Sequence, residues 1–267
     1  MINNDLLTDY IQNFYGYGHA DAAYWFIGLE EGDLTEGKEL EIRLKNWEAE
    51  SDPHFMDVVE SHENLKGSVF YCKKGNTPVK NQATITRVIK MYMILKGIYN
   101  AQQALENKDM FHNMALNIQA GGFARKENKY DTLIIELYPM PCYKTSTWDY
   151  GNKFPKVSWL SNKSIYKNHI ENTRINDIFN LIQAKNPKAV ILYFLNAKTE
   201  NFVRDKCLAH FGTPLKSKHF GKEKILYNVY GNTALYFIKH VNAAAGMSNE
   251  DLYSIGEEIK QKISLLS

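Results

Sequence analysis

The chain has 267 residues, 44% of them apolar and 23% charged, and a formal net charge of +2. That length is at the upper edge of what one hydrophobic core organises, so one domain with insertions over 1–267 is expected. The longest uninterrupted apolar run, Ala189 to Leu195, is far too short for a bilayer, and a charge of +2 does not by itself mark a nucleic-acid binder.

Met1-Ile2-Asn3-Asn4-Asp5 has no basic segment ahead of an apolar one, so a soluble, cytoplasmic protein with no membrane partner is expected. Cys72, Cys142 and Cys207 are widely spaced and lack a C-x-x-C pattern, which argues against a disulfide framework and a zinc site. They read as reduced bystanders.

In chain order, Asp5 to Phe14 reads as a helix, and Tyr15-Gly16-Tyr17-Gly18 as the turn into a strand at Tyr24 to Ile27. Leu40, Leu44 and Trp47 recur at helical spacing within 36–50, Gly67 to Lys80 looks irregular, and Thr84 to Tyr99 is an amphipathic helix. The second strand is Thr132 to Ile135, and Pro139 and Pro141 are expected to stop its pairing. The stretch 142–170 shows no long periodic segment and reads as a lid or DNA-contacting loop. A helix at Glu171 to Lys185, a strand at Ala189 to Phe194 and a helix at Thr199 to His210 follow. Strands Ile225 to Tyr230 and Thr233 to Ile238 flank a Gly231-Asn232 hairpin, and Ser248 with Asp251 caps a last helix, Asn249 to Leu265. The alternation predicts an α/β fold, a three-layer α/β/α sandwich around a mainly parallel sheet of about four to five strands.

Three strands end in residues suited to chemistry: Tyr24 to Gly28 in Leu29-Glu30-Glu31-Gly32, Leu133 to Ile135 in Glu136-Leu137-Tyr138-Pro139, and Leu235 to Ile238 in Lys239-His240-Val241-Asn242. Ligands of open α/β sheets sit beyond the carboxyl ends of the strands, so Glu30, Glu136 and His240 are expected to meet there. Two basic clusters add a partner. From Lys144 to Lys167, lysines Lys144, Lys153, Lys156, Lys163 and Lys167 interleave with Trp148, Tyr150, Phe154, Trp159 and Tyr166; Lys216 to Lys224 forms the second. Lysines track phosphates and aromatic faces stack on bases, which suits extruded or single-stranded nucleotides, although a solvated lysine face over partly buried aromatics has the same composition.

The ordered set of Gly28-Leu29-Glu30-Glu31-Gly32, Glu136-Leu137-Tyr138-Pro139-Met140-Pro141 and His240-Val241-Asn242, followed by Gly246-Met247-Ser248, resembles the uracil-DNA glycosylase superfamily. The resemblance implies a water-directing first loop, a base-reading residue at the end of the middle strand and a last loop that stabilises the departing base. It departs from the family pattern at three places. Glu30 stands for Asp or Asn, Glu136 for the usual Asn, and Val241-Asn242 for Pro-Ser. An ionised Glu136 cannot donate to O4 of uracil but accepts from the N4 amino group of cytosine, so a cytosine derivative is expected over uracil.

The resemblance assigns catalysis to Glu30 or Glu31 and to His240. It assigns base binding to Gly28, Glu136, Tyr138, Asn242, Tyr15, Tyr17 and Trp148, with Trp159 a further clamp candidate, and DNA contacts to Lys144, Lys156, Lys163, Lys167 and Ser248. The implied partner is DNA, duplex with a flipped base or single-stranded, and no metal or organic cofactor is called for. The expected activity is hydrolysis of an N-glycosidic bond, in DNA repair or in defence against phage with modified DNA. Two other readings stay open: a catalytically silent nucleic-acid or nucleotide-binding module, and an enzyme of free nucleosides. Adjacent glutamates can also simply favour a helix start, and a strand-end histidine can be structural.

Overall fold

The computed structural model describes residues 2–32, 38–52, 54–71, 79–127, 129–142 and 148–266. Lys144 and Cys72 lie outside them. The chain opens with α1 (Asn4–Asn13), β1 (Gly16–Gly18), β2 (Tyr24–Gly32), α2 (Leu40–Glu48), β3 (Phe55–Met56) and α3 (Val58–Ser61). Then come α4 (Ala83–Leu95), α5 (Ala101–Glu106), α6 (Lys108–Ala120), β4 (Thr132–Cys142), α7 (Tyr150–Lys153) and α8 (Lys163–Lys185). The last third holds β5 (Ala189–Leu192), α9 (Glu200–Phe211), β6 (Lys216–Phe220), β7 (Glu223–Tyr230), β8 (Thr233–Phe237) and α10 (Asn249–Ser264).

These strands form one mixed sheet in the order β3-β1-β4-β2-β5-β8-β7-β6. Eight strands among the described residues replace the four to five expected, because the additions are hard to read. β1 and β3 are three and two residues long, and β6 is an exposed, lysine-bearing edge that looks like surface. The middle four, β4-β2-β5-β8, are parallel, and Trp25, Phe26, Ile27 and Val190 to Leu192 in them are wholly buried, as strands covered on both faces must be. Chain order among these four runs 2-1-3-4, so the winding reverses between β2 and β5, the place where such sheets open a crevice. Around the sheet, α10 packs on α4, α5 and β8, and α8 on β4 and α9. Among the described residues no helix is long and apolar enough to cross a membrane.

Three local expectations change. The Tyr15 to Gly18 segment is a strand rather than a turn: β1 inserts between β3 and β4, and Gly18, at φ +117°, has no room for a Cβ, which would lie 2.5 Å from the Thr132 carbonyl oxygen. β4 does not stop at Pro139 and Pro141. Its pairing with β1 ends at Ile135, so beyond Glu136 it has β2 on one side only, and prolines are tolerated on such an open edge. Much of the supposed loop is folded as well. α8 begins at Lys163, capped by Asn162, whose side chain accepts from the Ile165 N–H, and Trp148 donates Nε1 to the Leu160 carbonyl while packing on Tyr150 and Tyr166.

Candidate active site

A cavity of about 370 Å³ opens at the carboxyl ends of β2, β4, β5 and β8, within the usual range of roughly 300–1,000 Å³ for ligand pockets. Glu30, Glu31, Glu136 and His240 all line it, together with Gly28 and Tyr17. The three residues therefore do meet, although β2 and β4 continue past Glu30 and Glu136, which lie within the strands and not at their ends. Sequence reasoning missed Tyr193, the first residue past β5, which also lines the cavity, and the Arg43, His62 and Tyr71 wall.

The two adjacent glutamates have different work. Glu31 accepts from both Arg43 guanidinium nitrogens at 2.9 and 3.1 Å, from the Tyr17 hydroxyl at 2.7 Å, and meets His62 Nε2 at 2.8 Å. His62 Nδ1 in turn faces the Val58 carbonyl at 2.7 Å, so both ring nitrogens sit against acceptors. Burial alone pushes the Glu31 carboxyl up, but Arg43 and His62 outweigh it and hold the group well below the usual carboxylate range. With every lone-pair direction engaged, Glu31 is a tie between segments. Glu30 has spare capacity. Its Oε1 accepts from Lys163 at 2.7 Å, whereas its Oε2 is buried with no hydrogen-bond partner among the described residues.

Glu136 lies midway along β4, which is buried throughout, opposite Gly28, and is 7% exposed. Burial, with Glu31 and Glu30 adding to it, pushes its carboxyl well above the usual range, while Arg174 pulls the other way. These surroundings favour the neutral acid over the ionised carboxylate expected from sequence. Arg174, buried on α8, donates Nε and Nη2 to the Glu136 main-chain carbonyl at 3.2 and 2.9 Å, which fixes the strand beneath the side chain. Gly28 supplies the space above: a Cβ there would lie 2.7 Å from the Tyr193 hydroxyl and 2.9 Å from Glu136 Oε2. Gly28→Ala is expected to cost about 1–3 kcal/mol through that overpacking, measured by urea unfolding.

His240 follows β8. Burial lowers its pKa, so the ring is neutral at pH 7, and its Nδ1 accepts the Asn242 main-chain N–H at 3.2 Å. The proton then sits on Nε2, leaving a neutral N–H donor. Asn242 thus acts through its backbone, and its side-chain oxygen accepts the Ala244 N–H. Arg87 of α4 holds the loop beyond, donating Nε to the Val241 carbonyl, Nη2 to that of Met247 at 2.8 Å and Nη1 to the Asn249 side chain at 2.6 Å.

Several expected contacts are not at the cavity. The Tyr15 ring lies beneath the Arg174 guanidinium at 4.5 Å, and the Tyr138 hydroxyl donates to Glu171 at 2.6 Å on the α8 side. Trp148 belongs to the packed arm, and Trp159 stacks on His169. Among the lysines, Lys156 is exposed, but Lys163 is spent on Glu30 and sits 3.1 Å from the Cys142 sulfur. Lys167 lies 4.3 Å from the Tyr138 ring, and Ser248 caps α10, accepting the Asp251 N–H. Lys218 and Lys224 of the second cluster pair with Glu258 and Glu200. Among the described residues no three His, Cys, Asp or Glu side chains are grouped to hold a metal ion. Set beside family models, curated proteins and solved structures, the chain matches none, so the cavity itself carries the functional reading.

Proposed function

We propose that this chain is a DNA glycosylase-like hydrolase, a divergent relative of the uracil-DNA glycosylases built as a three-layer sandwich, which takes an extruded modified or damaged base into the cavity and cleaves its N-glycosidic bond. The observation that supports this most is the convergence of Glu30, Glu136 and His240, from segments far apart in the chain, on one cavity at the sheet's reversal point.

Cleavage builds positive charge on the sugar and negative charge on the departing base, so fixed groups of opposite character at the two ends stabilise the transition state. Glu30, steadied by Lys163 and with Oε2 unengaged, suits the sugar end, where it stabilises the cationic ring or orients water. The neutral His240 Nε2–H suits the base end as a donor to a developing oxyanion, with no proton to shed first. Glu136 and Tyr193 face the base between them. A cytosine derivative is the first substrate to try, since the Glu136 carboxyl can accept from an exocyclic amino group. Clearance of modified phage DNA and repair of the host's own DNA are the roles such an activity would serve.

The deciding assay incubates the protein with duplex and single-stranded DNA carrying uracil, hypoxanthine, cytosine or hydroxymethylated or glucosylated cytosine, then reveals abasic sites by alkaline scission. Scission confined to particular bases supports the enzyme. Its absence everywhere, with salt-sensitive DNA binding retained, favours a silent binding module. Because Arg87 holds the loop that carries His240, Arg87→Met is expected to slow base release by about 10²-fold through misplacement of the imidazole, with DNA affinity little changed in a gel-shift titration.

A further inference from the structure

Resting on that reading, we propose that Glu136 grips the base as a neutral carboxylic acid, one oxygen donating and the other accepting, and so does the work of an amide. Its carboxyl has no hydrogen bond or ion pair among the described residues, although it is 7% exposed and lines the cavity. Arg174 spends Nε and Nη2 on the main-chain carbonyls of Glu136 itself and of Phe14, and its buried Nη1, with no hydrogen-bond partner among the described residues, makes no hydrogen bond to the Glu136 carboxyl. The two neighbouring carboxylates already have their cations, Glu31 in Arg43 and Glu30 in Lys163. A third buried anion there would have no partner of its own, which is the arrangement that keeps a proton on a carboxyl. The groups around it agree: Glu30 and Glu31 on β2 and the burial itself favour the neutral form, Arg174 on α8 opposes it, and Tyr71, Tyr193 and a neutral His240 bring no charge.

The consequence is chemical. An ionised carboxylate offers only acceptors, but a carboxylic acid presents an O–H beside a C=O. That pair matches the N4 amino donor and N3 acceptor of cytosine. With the two oxygens exchanging roles, it matches O4 and N3–H of uracil as well, so a glutamate here does not exclude keto bases. The substrate class becomes a base whose hydrogen-bonding edge presents an adjacent donor and acceptor, whichever comes first.

The test pairs base release with a signal that needs no substrate. Glu136→Gln, neutral and of the same shape, is expected to stay within about tenfold of the parent rate, and Glu136→Leu, which leaves the base edge unpaired, to lose at least about 10²-fold. As pH rises into the alkaline range the parent should lose activity as Glu136 ionises, and Glu136→Gln should lack that fall. The carbon-13 carboxyl resonance of Glu136, assigned by its absence from the Gln variant, should sit at the protonated position at neutral pH in the protein alone. A carboxylate resonance at neutral pH, or an inactive but folded Glu136→Gln with a parent rate that climbs with pH, overturns the proposal and leaves the glycosylase reading standing. No base released from any DNA takes down both.

Discussion

Replacing Glu31 by alanine is expected to remove about 3–5 kcal/mol of unfolding free energy at neutral pH, read from urea titration, because it strands the buried Arg43 guanidinium and leaves the buried His62 ring without its partner. Arg43 and His62 are 9% and 3% exposed, and both direct nitrogens at this one carboxylate. Tyr17 of β1 loses its acceptor too. Glu31→Gln keeps one oxygen, which can hold two of the four contacts, and should lose less. The pH dependence has a definite sign. The folded-state pKa of Glu31 lies below its unfolded value of about 4.3, so its contribution is complete above that value and drains away as pH falls toward the folded pKa. Parent and Glu31→Ala should therefore differ most near neutrality and converge in strong acid. A variant as stable as the parent at pH 7 would show that the four-residue web does not hold these segments.

Glu30→Gln is expected to do the opposite: base release slows by about 10²- to 10⁴-fold, while the melting temperature moves only a few degrees. Glu30 is held by Lys163 where Glu31 is held by Arg43, His62 and the Tyr17 hydroxyl, so less of the fold depends on it. Its Oε2 has no hydrogen-bond partner among the described residues, and in the proposed reaction that is the oxygen that would orient water or face the cationic sugar. The amide keeps the shape and removes the charge. Single-turnover rates of abasic-site formation, corrected for folded fraction, separate the two glutamates. A Glu30→Gln enzyme as fast as the parent, beside a folded Glu31→Gln enzyme that is dead, would exchange their roles.

Much of this site was legible in the chain because apolar strand cores announce themselves and a polar residue at their carboxyl end has few other places to go. Glu30, Glu136 and His240 were found that way, and Tyr193 obeys the same rule but was hidden, since Tyr193-Phe194-Leu195 prolongs the apolar run of β5. The choice between Glu30 and Glu31 was not legible. It depends on Arg43, His62 and Tyr17, drawn from three separate elements with nothing local to mark them. Nor did composition distinguish Lys163, paired inside, from Lys156, exposed on the same arm, because a lysine's role is set by what faces it. The environment of Glu136 was hidden for a related reason: sequence shows the carboxyl but not the burial and the neighbouring Glu30 and Glu31 that push its pKa up.

The pairing of β2 with β4 joins parts of the chain as far apart as Ala23 and Asp131, separated by 108 positions. His240 arrives later still, just past the last strand of the four. Entropy must be spent to close these long loops before any of their contacts repays it, and topologies of this kind fold slowly. The side chains that line the cavity therefore come into register only once these distant segments have paired, and no early, locally structured form of the chain holds them together.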